Sequence, residues 1–291
     1  MDIGVALPQM ATGLNRDTVL AWCRGIDEGP YSSVSAGERI TFHNLEGLTL
    51  CSAAAVLTER VRVFFNVAVA PWHATAMLAK QLATIDVLTN GRVDLAVGVG
   101  GRRQDYDALG APFEKRHSRL DAAVGEMRRL WAGGAAADGN AVGPRPVQHG
   151  GPPIMCSGMG PKSLARAAHW ADGVSGFALS GDAVEAARGF RAAEQAWISA
   201  GRTERPRLTT GVFVALGANA EVTLKAFAMT YLDVFGADVA RMVADSLTVY
   251  SPERLRHTID AMADAGCDEL ILVPADSDPA MLHLITEVVG G

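Results

Sequence analysis

Residues 91–133, GRVDLAVGVGGRRQDYDALGAPFEKRHSRLDAAVGEMRRLWAG, decide how the chain is read. Asn90 and Gly91 form a turn signal ahead of the apolar run 93–99, which ends in Gly98, Gly100 and Gly101. A basic, aromatic-containing loop follows. The spacing of Leu120, Val124, Met127 and Trp131 then predicts a helix over 113–131 with one apolar side. A strand, a Gly-rich turn and a helix make a βα unit, and such a turn offers backbone N–H groups to an anion.

The same unit recurs on both sides of this stretch. Strands are expected at 3–7, 31–35, 61–69, 153–156, 173–177, 208–216 and 269–273. Helices are expected at 18–26, 47–58, 76–88, 162–169, 183–200, 219–245, 252–265 and 279–288. The run 61–69 is apolar throughout, as a strand covered on both faces must be. Residues 132–152, AGGAAADGNAVGPRPVQHGGP, lack periodicity and read as a surface excursion with a small hairpin. Eight strand–helix alternations with no break in composition favour a single (β/α)8 TIM barrel with insertions over residues 1–291. The rival is an open doubly wound sheet. It is disfavoured because no strand is followed by GxGxxG and a downstream acid, and 98–101 has the wrong spacing.

Composition narrows the function. With 291 residues, 49% apolar and 20% charged, the chain can bury a large core. The net charge of -6 argues against nucleic acid as a partner. No twenty-residue apolar stretch and no basic leader are present, so a soluble cytoplasmic protein without membrane contact is expected. Cys23, Cys51, Cys156 and Cys267 are scattered without a CxxC pair, which suits buried thiols rather than disulfides or a metal site. GxSxG, HExxH and GxxxxGK[ST] are all absent, and no paired acids suggest glycoside hydrolysis.

In a barrel of this kind, functional groups collect at the C-terminal strand ends. That rule selects Pro8 and Gln9, then Glu38, Arg39 and His43, then the segment from Asn66 to His73 that includes Val67. It also selects Gly100, Arg102 and Tyr106 after the fourth strand. After the fifth strand, Ser157, Gly158, Met159, Gly160 and Ser163 form the turn SGMGPKS. This turn combines permissive glycines, hydroxyl donors and a helix start, which is a phosphate site in physical terms, although Pro161 also reads simply as a helix starter. Glu38 and Arg39 either position a ligand or form a surface ion pair. His43 and His73 either exchange protons or serve as hydrogen-bonded structural groups. With a phosphate turn and an apolar floor but no nucleophile or metal cluster, an organic cofactor is the expected carrier of the chemistry.

Several segments resemble the luciferase-like monooxygenase family: DIGVALP, GERI, PWHATAMLAKQLATIDVLTNGRVDLAVGVG, RRQDYDALGAPFEKRHSRLDAAVGEMRRLW, SGMGPKSLARAAHWADG and SPERLRHTIDAMADAGCDELILVP. The resemblance covers nearly the whole chain. It implies a non-covalent FMN or deazaflavin F420 at the C-terminal face of the barrel. The turn 157–163 would hold the phosphate with help from the loop 100–106, and the ring would lie against 66–69, where some members carry a non-prolyl cis peptide.

The resemblance also marks two departures. Arg39 stands where many members have histidine, and His73 precedes Ala74 where members often have proline. Arginine does not release a proton near neutrality. Glu38, Arg39, His43 and His73 remain the catalytic candidates.

The leading expectation is hydride transfer with F420, its acidic tail met by Arg102, Arg103, Lys115, Arg116 and Arg119. The alternative is an FMN-dependent monooxygenase using reduced flavin and dioxygen, served by a separate flavin or F420 reductase. A catalytically inactive flavin-binding relative is the third reading. The substrate is expected to be a small molecule, in a pocket including Phe42, His43, Trp72, Phe177 and Phe235. The resemblance further implies a homodimer, with the helix at 47–58 as either its surface or an inner barrel helix.

Overall fold

A computed structural model describes residues 1–291. The elements run β1 (Asp2–Ala6), α1 (Arg16–Glu28), β2 (Ser33–Ala36), α2 (Gly47–Leu57), β3 (Arg62–Ala68), α3 (Thr75–Leu88) and β4 (Val93–Val97). Next come α4 (Arg103–Ala108), α5 (Arg116–Trp131), β5 (Ile154–Cys156), α6 (Pro161–Ala167), β6 (Gly173–Phe177), α7 (Ala183–Ser199) and β7 (Arg207–Val214). The chain ends with α8 (Ala220–Leu232), α9 (Ala237–Ser246), α10 (Pro252–Asp264), β8 (Glu269–Pro274) and α11 (Pro279–Val289). All eight strands are parallel and close in sequence order, β8 pairing with β1 in the register Asp2 to Glu269 and Val5 to Leu272. The expected (β/α)8 barrel is the fold observed.

Strand side chains alternate between the barrel interior and the helices, and this period of two builds the site from the bottom up. The lowest inward layer is ionic. Arg62 of β3 reaches Asp94 of β4 at 2.6 Å, and Arg207 of β7 reaches Asp94 at 3.1 Å and Glu269 of β8 at 2.6 Å. Ser32 and Ser33 each donate to Glu269 at 2.6 Å. A Cβ on Gly4 would collide with Ser33, Ile271 and Glu269, so only glycine fits that inward position. Burial pulls the Arg207 guanidinium down, but the Asp94 and Glu269 carboxylates outweigh it and hold it above its ordinary value.

Two residues further along, the layer is mostly apolar, with Ala6, Phe64, Ala96, Met155 and Ile271 packed together beside the buried Ser35 and Thr209. Two residues further again, the inward positions open into a cavity. The much larger hydrophobic core lies outside the barrel, between strands and helices, where Trp22, Leu78, Leu82, Leu95, Phe190 and Trp197 are almost fully buried.

Local differences from the sequence reading have physical causes. Residues 103–108 form a short helix rather than a loop, too short to show periodicity; its Asp105 and Tyr106 are buried. Helix α5 begins at Arg116, not 113, because Lys115 takes a left-handed conformation at φ 55°. The excursion 132–152 contains one antiparallel bridge, Ala135 to Ala141. It is pinned under the barrel by Gln148, which donates to Asp86 Oδ1 at 2.7 Å and to the Val93 carbonyl at 2.7 Å. Helix α2 turns Leu48, Leu50, Cys51, Ala54 and Ala55 inward and leaves Val56 65% exposed, so it is a barrel helix with an apolar outer edge. The four cysteines are free and buried. No helix is long and apolar enough to cross a membrane.

Removing one partner from the ionic layer leaves buried charge uncompensated. Asp94→Ala is expected to lower unfolding stability by about 3–5 kcal/mol in urea titrations. The paired change Arg62→Met with Asp94→Leu is expected to cost markedly less.

A pH effect follows from Asp27, whose carboxylate accepts backbone N–H bonds from Glu59, Arg60 and Val61 at 2.9, 2.9 and 3.0 Å. Burial pushes its carboxyl up, yet those bonds and the Arg60 charge hold it below the usual carboxylate range. A folded value below the unfolded one gives stabilisation that is complete above the unfolded value and lost as pH falls through the folded one. Asp27→Asn is therefore expected to melt lower than the parent near neutrality. Thermal scans should show the two converging between about pH 5 and about pH 2.

Candidate active site

The cavity at the C-terminal end of the barrel has a volume of about 440 Å³, within the range of small-molecule sites. Ser35 of β2 contributes to its floor, and its walls come from the strand ends above: Gly37, Asn66 and Val67, Gly98, Ser157, Ser175, Gly211 and Val273. Pro8, Gln9, Glu38, Gly100 and Arg102 reach it from the loops. Its apolar cover comes from Phe177, Phe213, Tyr231 and Phe235, the last two contributed by the segment joining β7 to β8.

Strand β3 is irregular where it meets the cavity. Its register with β4 shifts between Phe65 and Ala68, and the Asn66–Val67 peptide is cis. Asn66 Oδ1 accepts a hydrogen bond from Ser175 Oγ at 3.0 Å across the barrel. Gly98 sits opposite, where a Cβ would strike Ser157 Oγ and lie 3.1 Å from Val67 Cγ1. The ends of β3, β4 and β5 therefore converge on one wall.

Glu38 is 9% exposed, and the structure shows it in no ion pair with Arg39. Its Oε2 accepts the Val69 backbone N–H at 2.6 Å, and its Oε1 lies 2.7 Å from His73 Nε2. The acid thus ties the β2 loop to the end of β3 and holds the imidazole behind the cavity wall. Arg39 is buried without an acidic partner. Its Nη1 donates to the Tyr231 carbonyl at 3.2 Å, and its guanidinium lies 3.7 Å above the Phe42 ring. Burial draws its pKa down, and the neighbouring Arg102 charge draws it further.

Other sequence candidates lie elsewhere. His43 is exposed and lines a separate hollow with Met10, Thr12 and α8. Tyr106 is buried beneath the β4 loop, where its hydroxyl donates to the Val99 carbonyl at 2.6 Å, and burial raises its pKa. Of the SGMGPKS turn, only Ser157 lines the cavity. Gly158, Met159, Gly160 and Ser163 do not line it, and a Cβ on Gly158 would lie 2.8 Å from Ser163 Oγ. The Gly158 N–H is directed to Cys156 Sγ at 3.4 Å, whose thiol is pushed up by burial. Of the five cations expected to meet an acidic tail, Arg102 alone lines the cavity. Arg103 pairs with Glu114 at 3.0 Å, Arg116 stacks 3.8 Å from the Phe113 ring, and Arg119 donates to the Pro71 and Pro112 carbonyls.

Sequence reasoning missed Tyr231 and Phe213. A tyrosine inside a largely apolar helix carries no local signal of its place over a cavity. Gln9 is more informative than its position suggested: its Nε2 donates to the Gly37 carbonyl at 2.6 Å, while its Oε1 is buried without a partner. No group of three His, Cys, Asp or Glu side chains gathers where a metal could be held.

A model of the family described as luciferase-like monooxygenase matches residues 1–274. The pyrimidine monooxygenase RutA of Methylobacterium radiotolerans is 32% identical over 143 residues, covering 45% of this chain and 37% of that protein. The pyrimidine monooxygenase RutA of Rhizobium rhizogenes is 28% identical over 210 residues, covering 67% of this chain and 56% of the relative. The matches thus span between about a third and just over half of these relatives' length. Among solved structures, an F420-dependent secondary alcohol dehydrogenase superposes with a TM-score of 0.80 at 17% identity, covering 99% of this chain and 98% of that one. The monooxygenase RslO1 from Streptomyces bottropensis gives 0.78 at 20% identity, with coverage of 99% and 98%. At these identities the superpositions speak to the fold alone, and one fold serves both named chemistries.

The Val69 N–H has no other acceptor than Glu38. Glu38→Ala, which leaves it unpaired, is expected to destabilise the protein by roughly 1–3 kcal/mol. Glu38→Gln, which keeps an acceptor oxygen, should lose less in the same urea titrations.

Proposed function

The chain belongs to the luciferase-like monooxygenase family, and on that premise we propose that it is an oxidoreductase holding a non-covalent flavin-type cofactor in the barrel-mouth cavity. FMN in an oxygen-dependent monooxygenase is the leading reading. The observation that carries it is the meeting of Asn66, Val67, Gly100, Arg102 and Ser157 around one cavity that also presents the unpartnered Gln9 Oε1. A planar heterocycle with an N–H edge suits such a seat, because glycines at 98, 176 and 211 keep the walls low and Gln9 supplies the missing acceptor.

Two considerations support FMN over the F420 expectation. The two relatives with a named activity described above are monooxygenases, and a deazaflavin carries hydride without using dioxygen as a substrate. In addition, the expected basic channel for an acidic tail is reduced to Arg102 at the cavity itself. When bound, reduced flavin supplies the electrons that activate dioxygen, and a separate reductase would provide it in that state.

The chain's own residues have definable roles in this reading. Phe177, Phe213, Tyr231 and Phe235 cover the cavity and limit water entry. Glu38 fixes the Val69 peptide and the His73 ring, so the edge of β3 is set before any ligand arrives. Arg39 keeps its proton near neutrality and therefore acts by stabilising negative charge rather than as an acid. The apolar outer edge of α2 supports a homodimer.

The test is gel filtration after incubation with FMN or F420, followed by an absorbance scan and oxygen-uptake measurements with reduced FMN. Co-elution of FMN without F420, at the volume of a dimer, is expected. Retention of F420 alone would replace the oxygenase reading with hydride transfer. Retention of neither would end the flavin reading.

A further inference from the structure

Two guanidinium groups lie against one tyrosine ring beside the cavity, and neither is in an ion pair. Arg39 is 6% exposed, and its Nε–H is buried without an acceptor. Arg102 lines the cavity; its Nε–H is also buried and unpartnered, and its guanidinium carbon lies 5.2 Å from the Tyr231 ring centre and 5.3 Å from that of Phe235. Arg39 lies 5.5 Å from the same Tyr231 ring. One tyrosine therefore sits against both cations.

The charged and titratable groups facing Arg39 are Arg102, Tyr231 and Asp105. Asp105 forms no ion pair with either arginine; its Oδ1 accepts both the backbone N–H and the hydroxyl of Thr41. Arg102 depresses the Arg39 pKa, so the two charges feel each other. A buried guanidinium is normally matched by a carboxylate, sulfonate or phosphate that accepts its planar fork of donors. Here Arg39 Nη1 finds only the Tyr231 carbonyl at 3.2 Å, the Nε–H groups of both arginines find nothing, and no carboxylate of the chain pairs with either. The surfaces next to it are aromatic, Phe42 under Arg39 and Phe235 beside Arg102.

We propose that Arg39 and Arg102 together bind the anionic oxygen group, carboxylate, sulfonate or phosphate, of a ligand whose apolar body lies under Tyr231 and Phe235. This deepens the reading of the cavity as a cofactor-dependent active site and rests on it. The substrate class is then an apolar molecule carrying one anionic head. The same chemistry is present on the phosphate of FMN, and the two sources are separated by choice of probe.

Calorimetry with benzoate and its neutral isostere benzamide, each in the presence and absence of FMN, tests the substrate source. FMN against riboflavin, which lacks the phosphate, tests the cofactor source. The parent protein is expected to prefer benzoate over benzamide by at least tenfold. Arg39→Met, which lies outside the cofactor seat, should erase that preference while leaving FMN affinity within about twofold, and Arg102→Met should erase it as well, since a lost bidentate charged contact is worth about tenfold or more. Arg39→Lys, which keeps charge but loses the fork, should recover only part of it.

If instead the preference for FMN over riboflavin collapses in both variants and benzoate binding is unchanged, the bound anion is the cofactor's phosphate and the substrate assignment is overturned. If neither preference depends on either arginine, the anion site itself is overturned, while FMN binding by the parent still sustains the flavin reading. Conversely, failure of the parent to bind FMN or F420 sinks the flavin reading alone, because benzoate against benzamide still reports on the arginines. Circular dichroism melts confirm folding of each variant, and Arg102, being half-buried, supplies the test if Arg39→Met does not fold.

Discussion

The ionic layer at the base of the barrel is the constraint on which the rest of the molecule is stacked. Arg62 pairs with Asp94 and Arg207 bridges Asp94 to Glu269, which ties the consecutive strands β3 and β4 to the consecutive strands β7 and β8. Because strand side chains alternate, fixing those four residues inward also fixes what lies inward two and four positions later. Phe64, Ala96 and Ile271 then fill the middle of the barrel, and Asn66, Gly98 and Val273 line the cavity above. A one-residue slip of any of these strands would turn charge into the outer apolar shell. The cost of that error makes the register, and with it the placement of the site, strongly specified.

Much of this was legible from residues alone, because the relevant signals are local. The apolar runs around Val63 and Leu95, the glycines at the end of the fourth strand, and the period of Leu120, Val124 and Met127 each identify an element without reference to the rest of the chain. What escaped is non-local. Asp94 sits inside an apolar run and Arg62 at the start of another, and nothing nearby says that they bind one another on neighbouring strands with Arg207 joining them from β7. The short helix holding Asp105 and Tyr106 is less than two turns long, so periodicity has no purchase on it.

The site shows the same division. The rule that function gathers at the C-terminal strand ends brought Glu38, Asn66, Gly100, Arg102 and Ser157 to attention, and all five line one cavity. Adjacent numbers misled where side chains diverge. Glu38 and Arg39 are neighbours in sequence, yet one turns to Val69 and His73 and the other to Phe42 and Tyr231. His43 lies in a separate hollow for the same reason: a loop position selects a neighbourhood, not a direction.

Tyr231 and Phe235 overhang the cavity from a helical segment that contributes no strand to the barrel. Leu224, Ala228 and Leu232 anchor that segment to the core on its other side. A lineage can therefore exchange the overhanging aromatic residues for other shapes without disturbing a single rung of the hydrogen-bonded ladder.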